Sequence, residues 1–236
     1  MLKAVLFDLD DTLFDHRHSS RAALSVLQNE YPLEIGNVNM DELEAANLDI
    51  LNTVHIEVLA GKLTTDQARE KRFGILLAEY GIAHSSEKLR DIAVRYRSKY
   101  QSSWRAVPGA KALLSGLHDR GLKTAIISNN LVEEQMDKLE HIGLLDLLDS
   151  TTISEEAGFA KPDARIFEIA LDRLACKPGE AIMIGDAWEN DIIGARNADI
   201  AAIWYNCYLT ESPDKSVPEI RSLEDSAGLI RLLSSF

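Results

Sequence analysis

Apolar residues fall along this chain in two rhythms, and the two are segregated. At the N-terminus and again in the second half they form short unbroken runs: Ala4-Val5-Leu6-Phe7, Thr124-Ala125-Ile126-Ile127, Ala181-Ile182-Met183-Ile184 and Ile200-Ala201-Ala202-Ile203-Trp204. A shorter run, Thr151-Thr152-Ile153, lies between the second and third. None alternates with polar residues, and a strand apolar on both faces belongs in a parallel sheet covered by helices on both sides. Between the runs the rhythm is helical. Ala110, Leu113, Leu114 and Leu117 make one stripe, and Ile166, Phe167, Ala170, Leu171 and Leu174 another. Pro162 suits the first turn of the latter helix, where a missing N–H goes unused. Strand and helix in alternation predict a doubly wound α/β core.

From about Asp15 to Trp104 the alternation stops. Leu43, Ile50, Leu51, Val54 and Val58 form a helical stripe, Phe73, Leu76, Leu77 and Tyr80 a second, and Leu89, Ile92, Ala93 and Tyr96 a third. Thr64 with Gln67 matches a capping box at a helix start. No strand pattern separates them. The expectation is a core of residues 1–14 and 105–236, re-entered near Val107-Pro108-Gly109, with a helical domain of residues 15–104 inserted after the first strand. The stretch with Leu223, Ala227, Ile230 and Leu233 reads as a last helix packed on the core.

Composition narrows the partners. The formal net charge is −13, which repels phosphate backbones and argues against nucleic acid. No apolar run is long enough to span a membrane, and the N-terminus opens directly into a strand without the features of a signal peptide. A cytoplasmic location is the default, and Cys176 and Cys207, outside any CxxC pair, read as reduced thiols. Nothing in the pattern reveals an oligomeric state.

The chemistry lies at the ends of the apolar runs. Ligands of open parallel sheets bind outside the carboxyl ends of the strands. The first run ends in Asp8-Leu9-Asp10-Asp11-Thr12, the second in Ser128-Asn129-Asn130, and the third in Gly185-Asp186 with Asp191 shortly after. If these strands are neighbours, Asp8, Asp10, Asp186 and Asp191 converge, and clustered carboxylates raise one another's pKa values. A hard divalent cation with oxygen ligands relieves the crowding. Magnesium, which takes a few carboxylates together with water and a substrate phosphate, fits.

These motifs resemble those of the haloacid dehalogenase superfamily. Phe7-Asp8-Leu9-Asp10-Asp11-Thr12-Leu13 is similar to its first motif, Ser128-Asn129 to its second, Lys161-Pro162 to its third, and Gly185-Asp186-Ala187-Trp188-Glu189-Asn190-Asp191 to its fourth. The insertion resembles the helical cap of one subclass. The resemblance implies a Rossmann-like core and a phosphatase of small phosphorylated metabolites. It makes Asp8 the nucleophile and Asp10 the general acid and base, with a backbone carbonyl for Mg2+. It places Ser128, Asn129 and Lys161 on the substrate phosphate, with Lys161 also catalytic, and Asp8, Asp10, Asp186 and Asp191 around the metal. Thr12 is expected to tie down the loop after Asp8.

The carboxylate two residues after the nucleophile favours phosphate esters over carbon–halogen bonds, because an alkoxide leaving group needs a proton and a halide does not. A phosphomutase would keep the same residues, and a non-catalytic phosphate-binding regulatory module would be expected to have lost one. His16, Arg17, His18, Asn47, Arg72, Trp104 and Arg105 are the candidates for substrate contacts. The pattern of Asn47, Gly61 and Arg72-Phe73 is somewhat similar to the pyrimidine 5′-nucleotidase branch, which makes a nucleoside 5′-monophosphate or a sugar phosphate the expected substrate class.

Overall fold

The computed structural model describes residues 1–233. Strands β1 (Ala4–Phe7), β2 (Lys123–Ser128), β3 (Ser150–Ile153), β4 (Ala181–Gly185), β5 (Ala201–Tyr205) and β6 (Glu219–Ile220) make one sheet in the order β3-β2-β1-β4-β5-β6. Every pairing is parallel. Helices α1 (His16–Glu30), α2 (Met40–Leu59), α3 (Thr65–Glu79) and α4 (Ser86–Ser102) follow β1. Then come α5 (Ala110–His118), α6 (Val132–His141), α7 (Ser154–Ala157), α8 (Ala164–Leu174), α9 (Gly194–Asn197) and α10 (Ser226–Leu233). The chain divides into two compact units, residues 1–15 with 105 onward, and residues 16–104. Among the described residues no helix is long and apolar enough to cross a membrane.

In the first unit the sheet is buried on both faces, as its unbroken apolar strands require. Ala4, Leu6, Ala125, Ile127, Met183, Ala202 and Trp204 pack with Ile166, Phe167, Ala170, Leu171 and Leu174 of α8 on one side. Burying a Leu, Ile or Phe side chain in such a layer contributes roughly 1.5–3 kcal/mol. The chain builds outward from β1 to β2 and β3, then returns to place β4 on the other side of β1. That reversal puts the topological switch point between β1 and β4, where open sheets leave a crevice. Residues 13–15 and 105–107 run side by side at the start of the insertion. Val107 N–H donates to the Leu13 carbonyl at 2.8 Å and Asp15 N–H to the Arg105 carbonyl at 3.1 Å. The Arg105 guanidinium grips Asp15 Oδ2 at 2.9 and 2.7 Å. Gly109 starts α5 at φ 90°, and a Cβ there would lie 2.2 Å from the Leu223 carbonyl oxygen, so no other residue fits without moving that backbone.

The second unit is a four-helix arrangement in which α1 packs on α2 and α4, and α3 on the same two helices. Its helices begin as the sequence indicates. Thr64 accepts from Gln67 N–H while the Gln67 side chain accepts from Thr64 N–H, a complete capping box. Asn39 and Ser85 cap α2 and α4 in the simpler way.

Some details depart from the sequence reading. Pro162 is not in the first turn of α8. Asp163 is the N-cap, its side chain accepting from Arg165 N–H, and Pro162 stands just outside. A capping carboxylate set the start of the helix, rather than the proline. Helix α1 carried no recognised stripe, because Ser19 and Ser20 occupy buried positions beside Ala23, Leu24 and Leu27. Strand β6 is two residues long, too short to leave a pattern.

Candidate active site

The register of the sheet brings the acids together. Phe7 pairs with Ile184 across β1 and β4, so Asp8 leaves the sheet level with Gly185, and Asp8 N–H donates to the Ile184 carbonyl at 3.0 Å. On the other flank Phe7 pairs with Ile126, which puts Ser128 near the same edge. After Asp8 the chain curls round one carbonyl: the N–H groups of Thr12, Leu13 and Phe14 all donate to Leu9 O. Asp11 adopts φ 63° within this curl, a conformation that aspartate tolerates better than most residues. Thr12 joins the curl to the end of β4. Its hydroxyl lies 3.2 Å from Asp186 Oδ1, to which it donates, and accepts from Asp186 N–H at 3.2 Å.

Lys161 is the hub. Its ammonium donates to Asp8 Oδ1 at 2.5 Å and to Asp191 Oδ1 at 2.6 Å, and all three groups are buried. Asp191 sits in a π-helical turn, Trp188–Ile193, and its second oxygen accepts from Ala187 N–H at 2.9 Å. Oxygens of Asp8, Asp186 and Asp191 lie within 4.8 Å of one another. Gly185 makes room for them, since a Cβ there would come within 2.2 Å of Asp191 Oδ2.

One lysine against three carboxylates leaves an excess of negative charge, and the proton affinities register it. Burial, countered by Lys161 and reinforced by Asp191, pushes the Asp8 carboxyl up to about 7. Burial together with the charges of Asp8 and Asp191 holds Asp186 well above the ordinary carboxylate range. Burial alone would lower Lys161, but Asp191 and Asp8 outweigh it and raise the ammonium, which is thus held charged. An all-oxygen, electron-rich trio of this kind suits a hard divalent cation.

Asp10 is turned elsewhere. Its carboxylate accepts from Lys138 Nζ at 2.6 Å and from Gln135 Nε2 at 2.8 Å, and Asn130 Nδ2 stands 3.5 Å away. Gln135 also donates to Ser128 Oγ at 2.6 Å, which places Asp10 and Ser128 on one amide. The Asn129 side chain faces neither acid cluster. It donates to the Lys161 carbonyl at 2.8 Å and accepts from Lys161 N–H at 2.7 Å. Asn129 thereby fixes the main chain from which the lysine projects.

A family model described as haloacid dehalogenase-like hydrolase matches residues 2–199. The chain belongs to that family. Across 99% of its length this hydrolase is 31% identical to a glyceraldehyde 3-phosphate phosphatase of Methanothermobacter thermautotrophicus, covering 100% of that protein. It is 31% identical to a phosphoserine phosphatase of Thermus thermophilus, over 93% of this chain and 95% of the relative. Among solved structures it is similar to the putative HAD-hydrolase YfnB of Bacillus subtilis bound to magnesium, with TM-score 0.74 and 26% identity over 97% of this chain and 98% of the other.

The sequence reading of this hydrolase missed Gln135 and Lys138. Helix α6, Val-Glu-Glu-Gln-Met-Asp-Lys-Leu-Glu-His, reads as a solvated charged helix. The available signal was spacing, since Gln135, Lys138 and Leu139 share one face at i, i+3, i+4, and that face is the buried one.

Proposed function

We propose that this chain is a magnesium-dependent phosphatase that hydrolyses a small phosphate monoester through an aspartyl-phosphate on Asp8. The observation that carries the reading is the Lys161 ammonium shared by Asp8 and Asp191 beside Asp186. It supports a reading in which a nucleophile, a fixed cation and a metal-ready acid pair meet at one switch point. The relatives named for glyceraldehyde 3-phosphate and phosphoserine support a phosphoric monoester as substrate.

In this reading Asp8 Oδ attacks phosphorus in line with the ester oxygen, which departs as the phosphoryl group passes to the carboxylate. Asp10 gives its proton to that leaving oxygen, then takes one from the water that cleaves the acyl phosphate, so one group serves as acid and base in turn. Lys161 and Ser128 hold phosphoryl oxygens, where fixed dipoles and charge stabilise the developing negative charge. The phosphate contact expected of Asn129 falls to its main chain, because its side chain is spent on Lys161. The carboxylates of Asp8, Asp186 and Asp191 and the carbonyl of Asp10 would hold Mg2+. When bound, the ion neutralises the acid cluster and the incoming phosphate dianion. The helical unit takes the part of a cap, and the alcohol portion of the substrate is a sugar or nucleoside.

The test is direct. Asp8→Asn should abolish phosphate release from every ester the parent accepts, and Asp10→Asn given p-nitrophenyl phosphate, whose leaving group needs no proton, should accumulate protein one phosphoryl group heavier. Turnover by Asp8→Asn at the parental rate would overturn the covalent mechanism.

A further inference from the structure

Helix α6 brings two buried polar side chains, Gln135 and Lys138, to the acids at the sheet edge, and the mechanism above gives neither a task. Gln135 is fully buried. Its amide nitrogen donates to Asp10 Oδ2 at 2.8 Å and to Ser128 Oγ at 2.6 Å, which uses both of its N–H bonds. Its Oε1 is buried and accepts from nothing among the described residues. A buried acceptor without a donor is costly. Turning the amide over cannot relieve it, because the carbonyl would then face the Asp10 carboxylate, acceptor against acceptor. The amide is therefore locked as a donor to both partners.

The start of α6 is anchored, which fixes where that amide stands. Leu131 offers no side-chain cap. Glu155 of α7 takes the role, its Oε2 accepting from Val132 N–H at 2.8 Å. The Ser154 hydroxyl donates to the Asn130 carbonyl at 3.3 Å, and Asn130 Oδ1 accepts from Leu131 N–H at 2.9 Å. Gln135 follows one turn later, its own N–H closing on the Leu131 carbonyl at 3.2 Å.

A serine hydroxyl has one proton to give and two lone pairs. Gln135 occupies one lone pair of Ser128, so the O–H bond points away from the amide. Ser128 is 2% exposed, and among the described residues its proton meets no acceptor. Without the amide, the hydroxyl could turn on Asp10, its neighbour on the same nitrogen, and an ionised carboxylate is a strong acceptor. We infer that Gln135 is a positioning residue: it keeps the Ser128 hydroxyl a donor to the substrate phosphoryl group by filling its lone pair and separating it from Asp10. The inference rests on the reading of Ser128 as a phosphoryl ligand. A donor aimed before substrate arrives costs no reorganisation when charge develops on the phosphoryl oxygens.

A double-mutant cycle with inorganic phosphate as the probe tests this. Phosphate is titrated with Mg2+ into the full-length parent, Gln135→Met, Ser128→Ala and the double variant, and binding is read by calorimetry. Gln135→Met, similar in length but without a donor, is expected to weaken phosphate about 10-fold, the scale of a hydrogen bond to a charged group. Ser128→Ala should lose a similar factor, and the double variant no more than Ser128→Ala alone. A role in filling space, or one exerted through Asp10, would persist when Ser128 is absent. A double variant about 100-fold weaker than the parent, the product of two independent losses, thus overturns the inference. So does parental affinity in Gln135→Met, or absence of phosphate binding in the parent. If Gln135→Met fails to fold, crystals of the parent with Mg2+ and phosphate decide: Ser128 Oγ bonded to both Gln135 Nε2 and a phosphate oxygen supports the inference, and a Ser128 turned to Asp10 refutes it. Failure of every ester to react, with the coupled phosphate result intact, sinks the phosphatase reading and leaves the role of Gln135 standing.

Discussion

Lys138 reaches Asp10 at 2.6 Å from a position only 2% exposed. Its ammonium also lies 4.9 Å from the centroid of the Phe14 ring. A lysine taken out of water so completely has to be matched by a charged acceptor, and Asp10, with Gln135 on its other oxygen, is that acceptor. The pair fixes the direction of the Asp10 carboxylate.

Lys138→Met should therefore damage catalysis more than binding. The kcat for an alkyl phosphate is expected to fall roughly 100-fold, the scale of a displaced general acid, with KM little changed. The first-turnover release of p-nitrophenol, a leaving group that needs no proton, should fall much less. Equal losses for both esters would show that Lys138 does not act through Asp10.

Gly185→Ala tests the crowding around Asp191. The new methyl would overlap a carboxylate that is buried and pinned at both oxygens, so that carboxylate has nowhere to turn. Destabilisation of about 1–3 kcal/mol is expected from overpacking, with loss of most activity at temperatures where the variant remains folded. Urea titration beside an activity assay checks both, and a fully active variant would show that Asp191 is not held as described.

Metal removal should have a structural as well as a catalytic signature. At a magnesium concentration about 100 times its dissociation constant, the folded state gains about 2.7 kcal/mol, seen as a rise in Tm that EDTA reverses along with activity. Asp186→Asn should abolish the rise. A Tm indifferent to magnesium in the parent would remove the acid trio as its site.

Glu30 supplies a pH test away from the site. Hydrogen bonds from Lys88 and Arg95 on α4, at 2.6 and 2.8 Å, hold its carboxyl down at about 2. A depressed carboxylate stabilises the fold above its unfolded pKa and loses that contribution as pH falls through the folded value. Glu30→Gln should thus cost about 1 kcal/mol at neutral pH, a figure kept small by partial exposure. The gap between parent and variant should narrow from about pH 4.5 downward and close below about 2. A gap independent of pH would mean that packing, not charge, links α1 to α4.

What the sequence revealed follows from where chemistry coincides with pattern. Asp8, Ser128 and Asp186 each end an apolar run, so the same signal that marks a strand marks its polar tip. Lys161 carries no such mark and was found through motif resemblance alone. Lys138 and Gln135 hide in a helix whose charge suggests solvent, because periodicity reports which residues share a face but not that a lysine on that face finds a buried carboxylate. Arg72 and Asn47 were legible as candidates for substrate contacts, but not as buried members of apolar helix stripes. The Asn129 side chain was legible as polar and near the site, but its bonding to the Lys161 backbone depends on a loop conformation that no spacing encodes.

The paired segments 13–15 and 105–107 form a neck, zipped by main-chain bonds and clasped by Arg105 on Asp15. Residues 16 to 104 leave and rejoin the first unit through this neck, which makes them a cassette bounded by two adjacent stretches of chain. Selection can rewrite that cassette, lengthen it or trim it to a tight turn while the strand bearing Asp8 stays seated between its neighbours, and a protein engineer can graft at the same two bonds.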